Sequence, residues 1–233
     1  MEERIRHKMP EKQGYPKVAI DGPAGAGKST VTREVSRRLE LKYLDTGAMY
    51  RAITLKLISE GIDLKDLDSI EQVLDRTEIK LSEKQEVFLD GKDVTSAIRG
   101  ADVNRLVSPV SAISIVRRRL VDMQRAIAAE SNGIVMEGRD IASRVMPDAD
   151  FKFYLDASIE ERAQRRRKEQ LDKGIDMTED EVIEEIKNRD IIDSGREDSP
   201  LTRVDDAMVI DTTDMAFEAV VNKVVDIVKS KVS

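Results

Sequence analysis

Short apolar runs recur along the chain, and longer segments with helical periodicity separate them. Five of these runs fit buried strands: residues 18–21, 43–45, 134–137, 151–156 and 208–211. Strands that alternate with helices are typical of a parallel sheet in an α/β protein. Several runs end in a carboxylate, and the carboxyl ends of parallel strands line the ligand crevice of a doubly wound fold. The pattern predicts a mostly parallel five-stranded sheet with a binding site at that edge.

Two helices have clear start signals. The apolar positions of the last helix follow a Thr212-Thr213 start and comprise Phe217, Val220, Val221, Val224 and Val228, which form one stripe for core packing. The pair Ser108-Pro109 reads as an N-cap followed by a first-turn proline. It predicts a helix that begins there and carries Ile113, Val116, Leu120 and Ile127 on its apolar face.

Two segments interrupt the strand and helix alternation. In residues 62–101, Ile79-Lys80-Leu81 and Val87-Phe88-Leu89 alternate like strands and Asp90-Gly91 forms a turn pair, which predicts a small inserted antiparallel subdomain. Residues 159–189 are rich in arginine and then in acidic residues, with few apolar anchors. Such a segment is either a mobile lid or a solvated helical hairpin, and charge alone favours the hairpin.

Composition narrows the class of protein. The 233 residues fit one α/β domain, and the net charge of −7 with 3% aromatic residues disfavours polynucleotide binding. The chain has no cysteine, and its single histidine, His7, lies in a polar leader, so thiol or histidine chemistry is not expected. No signal peptide or membrane-spanning run is evident, which predicts a cytoplasmic protein without membrane partners.

A glycine-rich sequence follows the first predicted strand directly. It has the form G-x-x-x-x-G-K-S and opens a helix, which is the pattern of a phosphate-binding P-loop. Lys28 is expected to reach the β- and γ-phosphates, and the Ser29 hydroxyl is the expected magnesium ligand. The predicted ATP-binding residues are Gly22, Pro23, Ala24, Gly25, Ala26, Gly27, Lys28, Ser29 and Thr30. The chain is therefore predicted to bind a nucleoside triphosphate with Mg²⁺.

Three further motifs carry a resemblance to a known family. They are Asp45-Thr46-Gly47-Ala48-Met49-Tyr50-Arg51, Gly138-Arg139-Asp140, and Arg189-Asp190 followed by Asp193-Ser194-Gly195-Arg196. Together with the P-loop they resemble the cytidylate kinase family over nearly the whole chain. The resemblance implies a P-loop nucleoside monophosphate kinase fold of three layers that transfers phosphate from ATP to CMP or dCMP in pyrimidine nucleotide metabolism. It also implies a flexible leader (1–16) and one domain (17–233), which we expect to be a monomer. That domain divides into a core (17–50, 104–157, 200–233), an acceptor-binding region with its insert (51–103) and a helical lid (158–197).

The resemblance also implies an acceptor site. Its residues are Thr46, Tyr50, Arg51, Ser108, Arg117, Arg139, Asp140, Arg189 and Asp193, with Ser108, Arg117 and Asp140 reading the cytosine. A carboxylate accepts from the exocyclic amino group of cytosine, where uracil presents an oxygen. Arginine forks bind two phosphate oxygens at once, so Lys28, Arg139, Arg189 and Arg196 are the expected catalytic cations.

Alternatives stay open at several positions. Tyr50 could be a core residue, Asp45 could cap a helix or support magnesium through water, and Asp193 with its arginines could be a surface ion-pair network. The chain departs from the family pattern at Glu137, usually Asp, and at Ala142-Ser143, usually Gly-Thr. A GTPase switch is disfavoured because D-x-x-G and N-K-x-D are absent. A P-loop kinase for another small acceptor would lack the cytosine set.

Overall fold

The sheet at the centre of the fold is parallel throughout. The computed structural model describes residues 15–82, 84–172 and 174–232. Its strands are β1 (Lys17–Asp21), β2 (Lys42–Asp45), β6 (Ile134–Gly138), β7 (Phe151–Asp156) and β8 (Met208–Asp211), in the order β2-β6-β1-β7-β8. Each neighbouring pair runs parallel. All five predicted strands are confirmed.

Helices cover both faces of this sheet and make a three-layer structure. On one face lie α1 (Lys28–Leu39) and α8 (Phe217–Val232), and on the other α2 (Thr46–Ser59) and α5 (Ser114–Glu130). Successive strand residues point to opposite faces. Accordingly, Val18 and Ile20 join the apolar core on the face covered by α1 and α8, which we call the first core. Ala19 joins the core on the face covered by α2 and α5, which we call the second core.

A second, smaller sheet lies in the insert. After α3 (Leu67–Asp75), the strands β3 (Ile79–Leu81), β4 (Val87–Leu89) and β5 (Lys92–Asp93) pair in the antiparallel order β3-β4-β5. The predicted alternation at 79–81 and 87–89 is confirmed. Strand β5 escapes prediction because its two residues are charged and exposed, so they carry no apolar pattern.

The predicted helix start at Ser108-Pro109 is wrong. Both residues lie inside α4 (Ala101–Ala112), and α5 begins only at Ser114. Val107 and Val110 pack α4 into the second core, and Val103 is buried as well; this packing outweighs the weak helix tendency of an internal proline.

The charged segment folds as two helices that pack on each other, α6 (Ile159–Leu171) and α7 (Glu179–Ser194). Thr178 and Glu181 form a capping box at the start of α7. The few expected apolar anchors are Ala163, Val182 and Ile186, which form a small buried cluster apart from the two main cores. We call this pair of helices the hairpin wall, because it faces the cleft described below.

The chain ends differ from prediction in detail. Helix α8 begins at Phe217 rather than at Thr212-Thr213. Phe217 is 44% exposed and does not belong to the buried stripe. The other predicted members of the stripe are buried: Val220, Val221, Val224 and Val228. Of the predicted leader, residues 1–14 with His7 lie outside the described residues, and the Pro16 carbonyl already accepts the Ile134 N–H. Within the described ranges no helix has the length and apolar character needed to cross a bilayer.

Candidate active site

The turn between β1 and α1 is shaped by its glycines. Gly22 has a φ of +150°, and a Cβ there would lie 2.0 Å from the Leu155 carbonyl oxygen on the neighbouring strand. Gly27, at the start of α1, has a φ of +81°. Only glycine adopts such conformations readily, and the resulting turn directs main-chain N–H groups and the start of a helix at one point. This is an anion-binding loop.

Two side chains of the loop face the cleft in front of it. Lys28 is buried, and its Nζ donates to the Pro23 carbonyl at 2.7 Å, which holds the ammonium within the loop. Ser29 donates from Oγ to Glu137 Oε2 at 2.8 Å. The exposed Thr30 hydroxyl donates to the Gly27 carbonyl.

Glu137 is the carboxylate beside the loop. It is the penultimate residue of β6, and the Tyr43 hydroxyl donates to the carboxylate oxygen that does not accept from Ser29. Burial and then the nearby Asp45 carboxylate raise the pKa of Glu137 to about 7, while Lys28 acts in the opposite direction. Asp45 caps α2 by accepting from the Ala48 N–H and also lines the cleft. Hard oxygen ligands therefore stand next to the Ser29 hydroxyl.

Asp21 ties the anion-binding loop to the segment after β6. Its carboxylate is buried and accepts from the backbone N–H groups of Ile141 and Ala142 at 2.9 and 2.8 Å. Burial raises the pKa of Asp21 to about 6. The three strand ends that carry Asp21, Asp45 and Glu137, together with the loop 22–30, form what we call the sheet wall.

A buried ion pair lies deeper in the cleft. Arg117 on α5 donates from Nη2 to Asp140, and its guanidinium lies 5.2 Å from the centre of the Tyr50 ring. Arg118 and Arg119 are exposed, so Arg117 is the member of the arginine triplet that turns inward. The Tyr50 hydroxyl is buried and has no hydrogen-bond partner among the described residues. Tyr50 is thus core in position but offers a free polar atom at the cleft.

Asp193 on α7 joins three arginines. It accepts from Arg139 Nε at 2.8 Å and from Arg196, and it lies 4.0 Å from Arg189 Nε. Because Asp193 is only 1% exposed, the predicted alternative of a surface ion-pair network is wrong. Burial and the neighbouring Arg139 lower the pKa of Arg189 to about 9, and the same two causes lower that of Lys28.

The remaining predicted residues divide between two cavities. Thr46 and Arg51 line the large cleft, where the Thr46 hydroxyl donates to the Glu137 carbonyl and Arg51 donates to Asn104. Ser108 instead lines a smaller cavity of about 430 Å³ between α4 and the hairpin wall, next to Arg189. Ser108 therefore does not line the cleft that Arg117 and Asp140 line, although Arg189 lines both cavities.

The large cleft has a volume of about 600 Å³ and is strongly basic. Among the described residues that line it, eleven are lysine or arginine and six are aspartate or glutamate, in a protein whose net charge is −7. Cations held this close together raise one another's free energy until an anion joins them. The arrangement fits a ligand with several negative charges.

The sequence patterns do not single out two of the residues that join the parts of this cleft, Arg162 and Ser111. Arg162 on α6 donates to the Ala24 carbonyl at 3.1 Å and to Asp190 at 2.6 Å, so it joins the hairpin wall to the anion-binding loop. Ser111 on α4 contacts both Arg117 and Arg196. Arg162 lies inside a charged stretch and Ser111 inside a helix, where no local pattern distinguishes them from solvated neighbours.

A glycine-rich anion loop at the centre of a parallel sheet, facing a basic cleft and a helical hairpin, defines a P-loop kinase fold. An uncharacterized protein from Eubacterium ventriosum shares this fold at 13% identity, with a TM-score of 0.50 over 92% of this chain and 98% of that one. The family model for cytidylate kinase matches residues 18–230. The chain therefore belongs to the cytidylate kinase family.

Two relatives illustrate how similar the chain is to that family. A cytidylate kinase of Caldanaerobacter subterraneus subsp. tengcongensis is 52% identical over 213 residues, which cover 91% of this chain and 94% of the relative. A cytidylate kinase of Bacillus subtilis is 45% identical over 217 residues, covering 92% and 96%. The similarity thus spans nearly the full length of both relatives.

Proposed function

We propose that this chain is an ATP-dependent (d)CMP kinase, which transfers the γ-phosphate of ATP to CMP or dCMP and releases ADP with CDP or dCDP. The observation that carries the proposal is the cleft itself. One cavity is lined by the P-loop lysine Lys28, by the buried Arg117–Asp140 pair and by several further arginines. A donor polyphosphate and an acceptor nucleotide can therefore meet inside it.

The donor would bind at the sheet wall. Main-chain N–H groups of residues 22–30 and the start of α1 are oriented to hold its phosphates, and the Lys28 ammonium would leave the Pro23 carbonyl for a phosphate oxygen. The negative charge of the phosphates would also offset the effect of burial and of Arg139, which lower the pKa of Lys28, because a nearby anion favours the protonated amine. This exchange explains how a buried lysine remains a useful cation.

Ser29 and Glu137 would hold Mg²⁺. Their oxygen atoms lie 2.8 Å apart, and oxygen is the ligand type that Mg²⁺ prefers. At such sites Mg²⁺ is usually bound through one or two protein ligands together with substrate phosphates. When bound, the ion neutralises charge on the phosphates.

The acceptor would bind between α2, α5 and the segment after β6. Asp140 would accept from the cytosine amino group while Arg117 and the free Tyr50 hydroxyl supply donors at the base. Arg51, Arg139 and Arg189 would hold the 5′-phosphate. Thr46 lines the same region, and Ser108 would reach the base only if α4 or the hairpin wall shifts, since it now lines the adjacent cavity.

Transfer would proceed by positioning and charge neutralisation. The attacking oxygen belongs to a phosphate that is already largely ionised at neutral pH, so no general base is needed. Lys28, Arg139, Arg189 and Arg196 would surround the migrating phosphoryl group. Asp193 keeps three of these cations close together in the absence of ligand and would share them with the phosphates.

Residues 158–197, which include the hairpin wall, would act as a lid over the cleft. The acceptor-binding region would comprise residues 51–103. Arg162 and Asp190 already link the hairpin wall to Ala24 of the P-loop, so occupation of the loop and placement of the lid are mechanically connected. Closure would exclude water and limit ATP hydrolysis without an acceptor.

The direct test is a comparison of acceptors. Purified protein is incubated with ATP, Mg²⁺ and one of CMP, dCMP, UMP or AMP, and ADP release is followed. We expect strong dependence on CMP or dCMP. Turnover that is independent of the added nucleotide would contradict the proposal and point to a nucleotide switch, whereas preference for AMP would assign another acceptor.

A further inference from the structure

Ser111 lines the cleft and contacts two of its arginines. It is buried on the last turn of α4, and its two polar groups face different arginines. The Ser111 carbonyl accepts from Arg117 Nη1 at 3.1 Å, and the Ser111 hydroxyl accepts from Arg196 Nη2 at 2.7 Å. One residue thus contacts the arginine assigned to the base and the arginine assigned to the migrating phosphoryl group.

The hydroxyl of Ser111 has a fixed direction. It donates its own hydrogen to the Ser108 carbonyl at 2.9 Å, one turn earlier in α4, which aims a lone pair at Arg196. Ser111 is 6% exposed and Arg196 is 9% exposed, so water does not readily replace this contact. Arg196 Nε has no hydrogen-bond partner among the described residues, so the guanidinium depends on the bonds made by its Nη2.

These contacts close a buried chain of polar groups around the cleft. Asp140 binds Arg117, Arg117 binds Ser111, and Ser111 binds Arg196. Arg196 then binds Asp193, and Asp193 binds Arg139, which directly precedes Asp140 in the sequence. The arginine assigned to the base is therefore joined to the arginine assigned to the phosphoryl group through groups in direct contact.

We propose that Ser111 is a positioning residue that places Arg196 according to how the acceptor base engages Arg117, so that base identity controls the rate of phosphoryl transfer. The inference rests on the proposed function. Cytosine donates from its amino group to Asp140 and accepts from Arg117 while Arg117 still binds Asp140. Arg117 then keeps its hydrogen bond to the Ser111 carbonyl. Uracil faces Asp140 with an acceptor, so the pair rearranges, Arg117 moves from Ser111 and Arg196 loses its alignment.

The test is the substitution Ser111→Ala, which removes the hydroxyl and suits a helix. Steady-state kcat and KM are measured with CMP and with UMP. We expect kcat with CMP to fall about tenfold, as for the loss of one hydrogen bond to a charged group, while kcat with UMP changes less than twofold. The kcat ratio of CMP to UMP therefore falls about tenfold, and KM for ATP stays within twofold.

Ser36→Ala is the matched control. Ser36 is a buried helical serine whose hydroxyl donates to the Leu41 carbonyl, and no contact with a cleft arginine accompanies it among the described residues. The control should leave the kcat ratio unchanged. Thermal unfolding of both variants measures the general loss of stability.

Arg196→Lys provides a second, independent variant. It keeps the positive charge but loses the guanidinium fork, so it should also lower the kcat ratio. In the double variant, Ser111→Ala should change the kcat ratio of CMP to UMP less than twofold relative to Arg196→Lys alone. The reason is that the guanidinium on which Ser111 acts is already absent.

Several outcomes would overturn the inference. Equal falls in kcat for CMP and UMP would indicate a structural role alone, and a higher KM for CMP with unchanged kcat would indicate direct contact between Ser111 and the nucleotide. A wild-type protein with equal kcat for both acceptors would also contradict it while leaving the kinase proposal intact. Absence of CMP-dependent ADP release in the wild-type protein would instead refute the proposed function.

Discussion

The sheet wall is held by two large buried apolar cores, whereas the hairpin wall has only Ala163, Val182 and Ile186 buried in a cluster of its own. Both walls present positive groups to the same cleft. The sheet wall supplies main-chain N–H groups and one buried lysine, and the hairpin wall supplies guanidinium groups held by ion pairs such as Arg165–Glu161 and Arg166–Glu185.

The difference explains a division of labour between the two walls. Main-chain donors are useful only if the backbone is rigid, and the strand ends in the sheet provide that rigidity. Arginines paired to carboxylates can exchange those partners for phosphate oxygens, and a weakly cored hairpin can move while they do so. The packing of the sheet wall therefore favours a rigid site for the phosphates of ATP, and the packing of the hairpin wall favours arginines that can change partners.

Removal of the sheet-wall lysine should give the greatest loss. Lys28→Ala is expected to lower kcat by about a thousandfold or more, since it removes a cation from the transferring group. The fold should remain intact, because the lost contact is a single bond to Pro23. ADP release with ATP and CMP measures activity, and circular dichroism measures unfolding. The exposed Lys42→Ala is the control, and full activity in Lys28→Ala would exclude Lys28 from the chemistry.

Rigidity of the sheet wall can be tested at Gly22. A Cβ at Gly22 would lie 2.0 Å from the Leu155 carbonyl oxygen, so Gly22→Ala should destabilise the protein by about 4 kcal/mol or more. Gly61→Ala is the matched control, because Gly61 also has a positive φ of +68° but no atom within 4 Å of the added Cβ. That variant should lose about 1 kcal/mol. Urea unfolding measures both, and similar losses would contradict the steric argument.

Substitution at the link between the walls should loosen only the hairpin. Arg162→Ala breaks a largely buried ion pair with Asp190, at a cost of about 3 kcal/mol. Hydrogen exchange should accelerate in α6 and α7 but not in the central strands. KM for ATP should rise about tenfold. This corresponds to about 1.4 kcal/mol, which is less than the cost of breaking the ion pair. Exposed Arg105→Ala is the control; faster exchange throughout the sheet would show that the two walls unfold together.

The charge buried within the sheet wall should appear in the pH dependence of stability. The pKa of Asp21 is about 6 in the folded protein and 3.8 as its ordinary value, so its protonated form favours folding. This contribution is complete below pH 4 and is lost as the pH rises through about 6. Relative to Asp21→Asn, the wild-type protein should lose at most about 3 kcal/mol of unfolding free energy between pH 4 and pH 7.

Asp66 provides a control of opposite sign for that measurement. Hydrogen bonds from Ser69 lower the pKa of Asp66. Asp66 therefore stabilises the folded protein at pH values above its ordinary pKa of 3.8, and this stabilisation is lost as the pH falls below it. Urea unfolding across the pH range should show opposite trends when Asp21→Asn and Asp66→Asn are each compared with the wild-type protein. Parallel trends would contradict the assigned environments.

Much of the sheet could be predicted because each strand is a contiguous apolar run. The same holds for the P-loop, whose glycines and lysine stand next to one another in sequence. Helix α4 could not be predicted correctly, since Ser108-Pro109 has the local pattern of a helix start, and packing of Val103, Val107 and Val110 overrides it. Phe217 has the right spacing for the core stripe of α8 but lies at its exposed start.

Within the candidate site, sequence motifs bring the residue types to attention but not their partners. Asp140 and Arg117 appear in separate motifs, and their ion pair depends on how α5 packs beside β6. The assignments of the acceptor residues and of the lid remain predictions. Ser108 in particular lines a different cavity from Arg117 and Asp140.

The amino-acid sequence by itself determined the parallel sheet, the anion-binding loop and the family, because these depend on neighbouring residues and on motifs with fixed spacing. Only the tertiary structure decided that Tyr43 and Ser29 share Glu137, that Arg162 reaches Ala24, and that Ser111 joins two arginines. Those contacts join residues far apart in sequence, so their geometry is set by the packing of whole helices against the sheet and by the burial of charge between them.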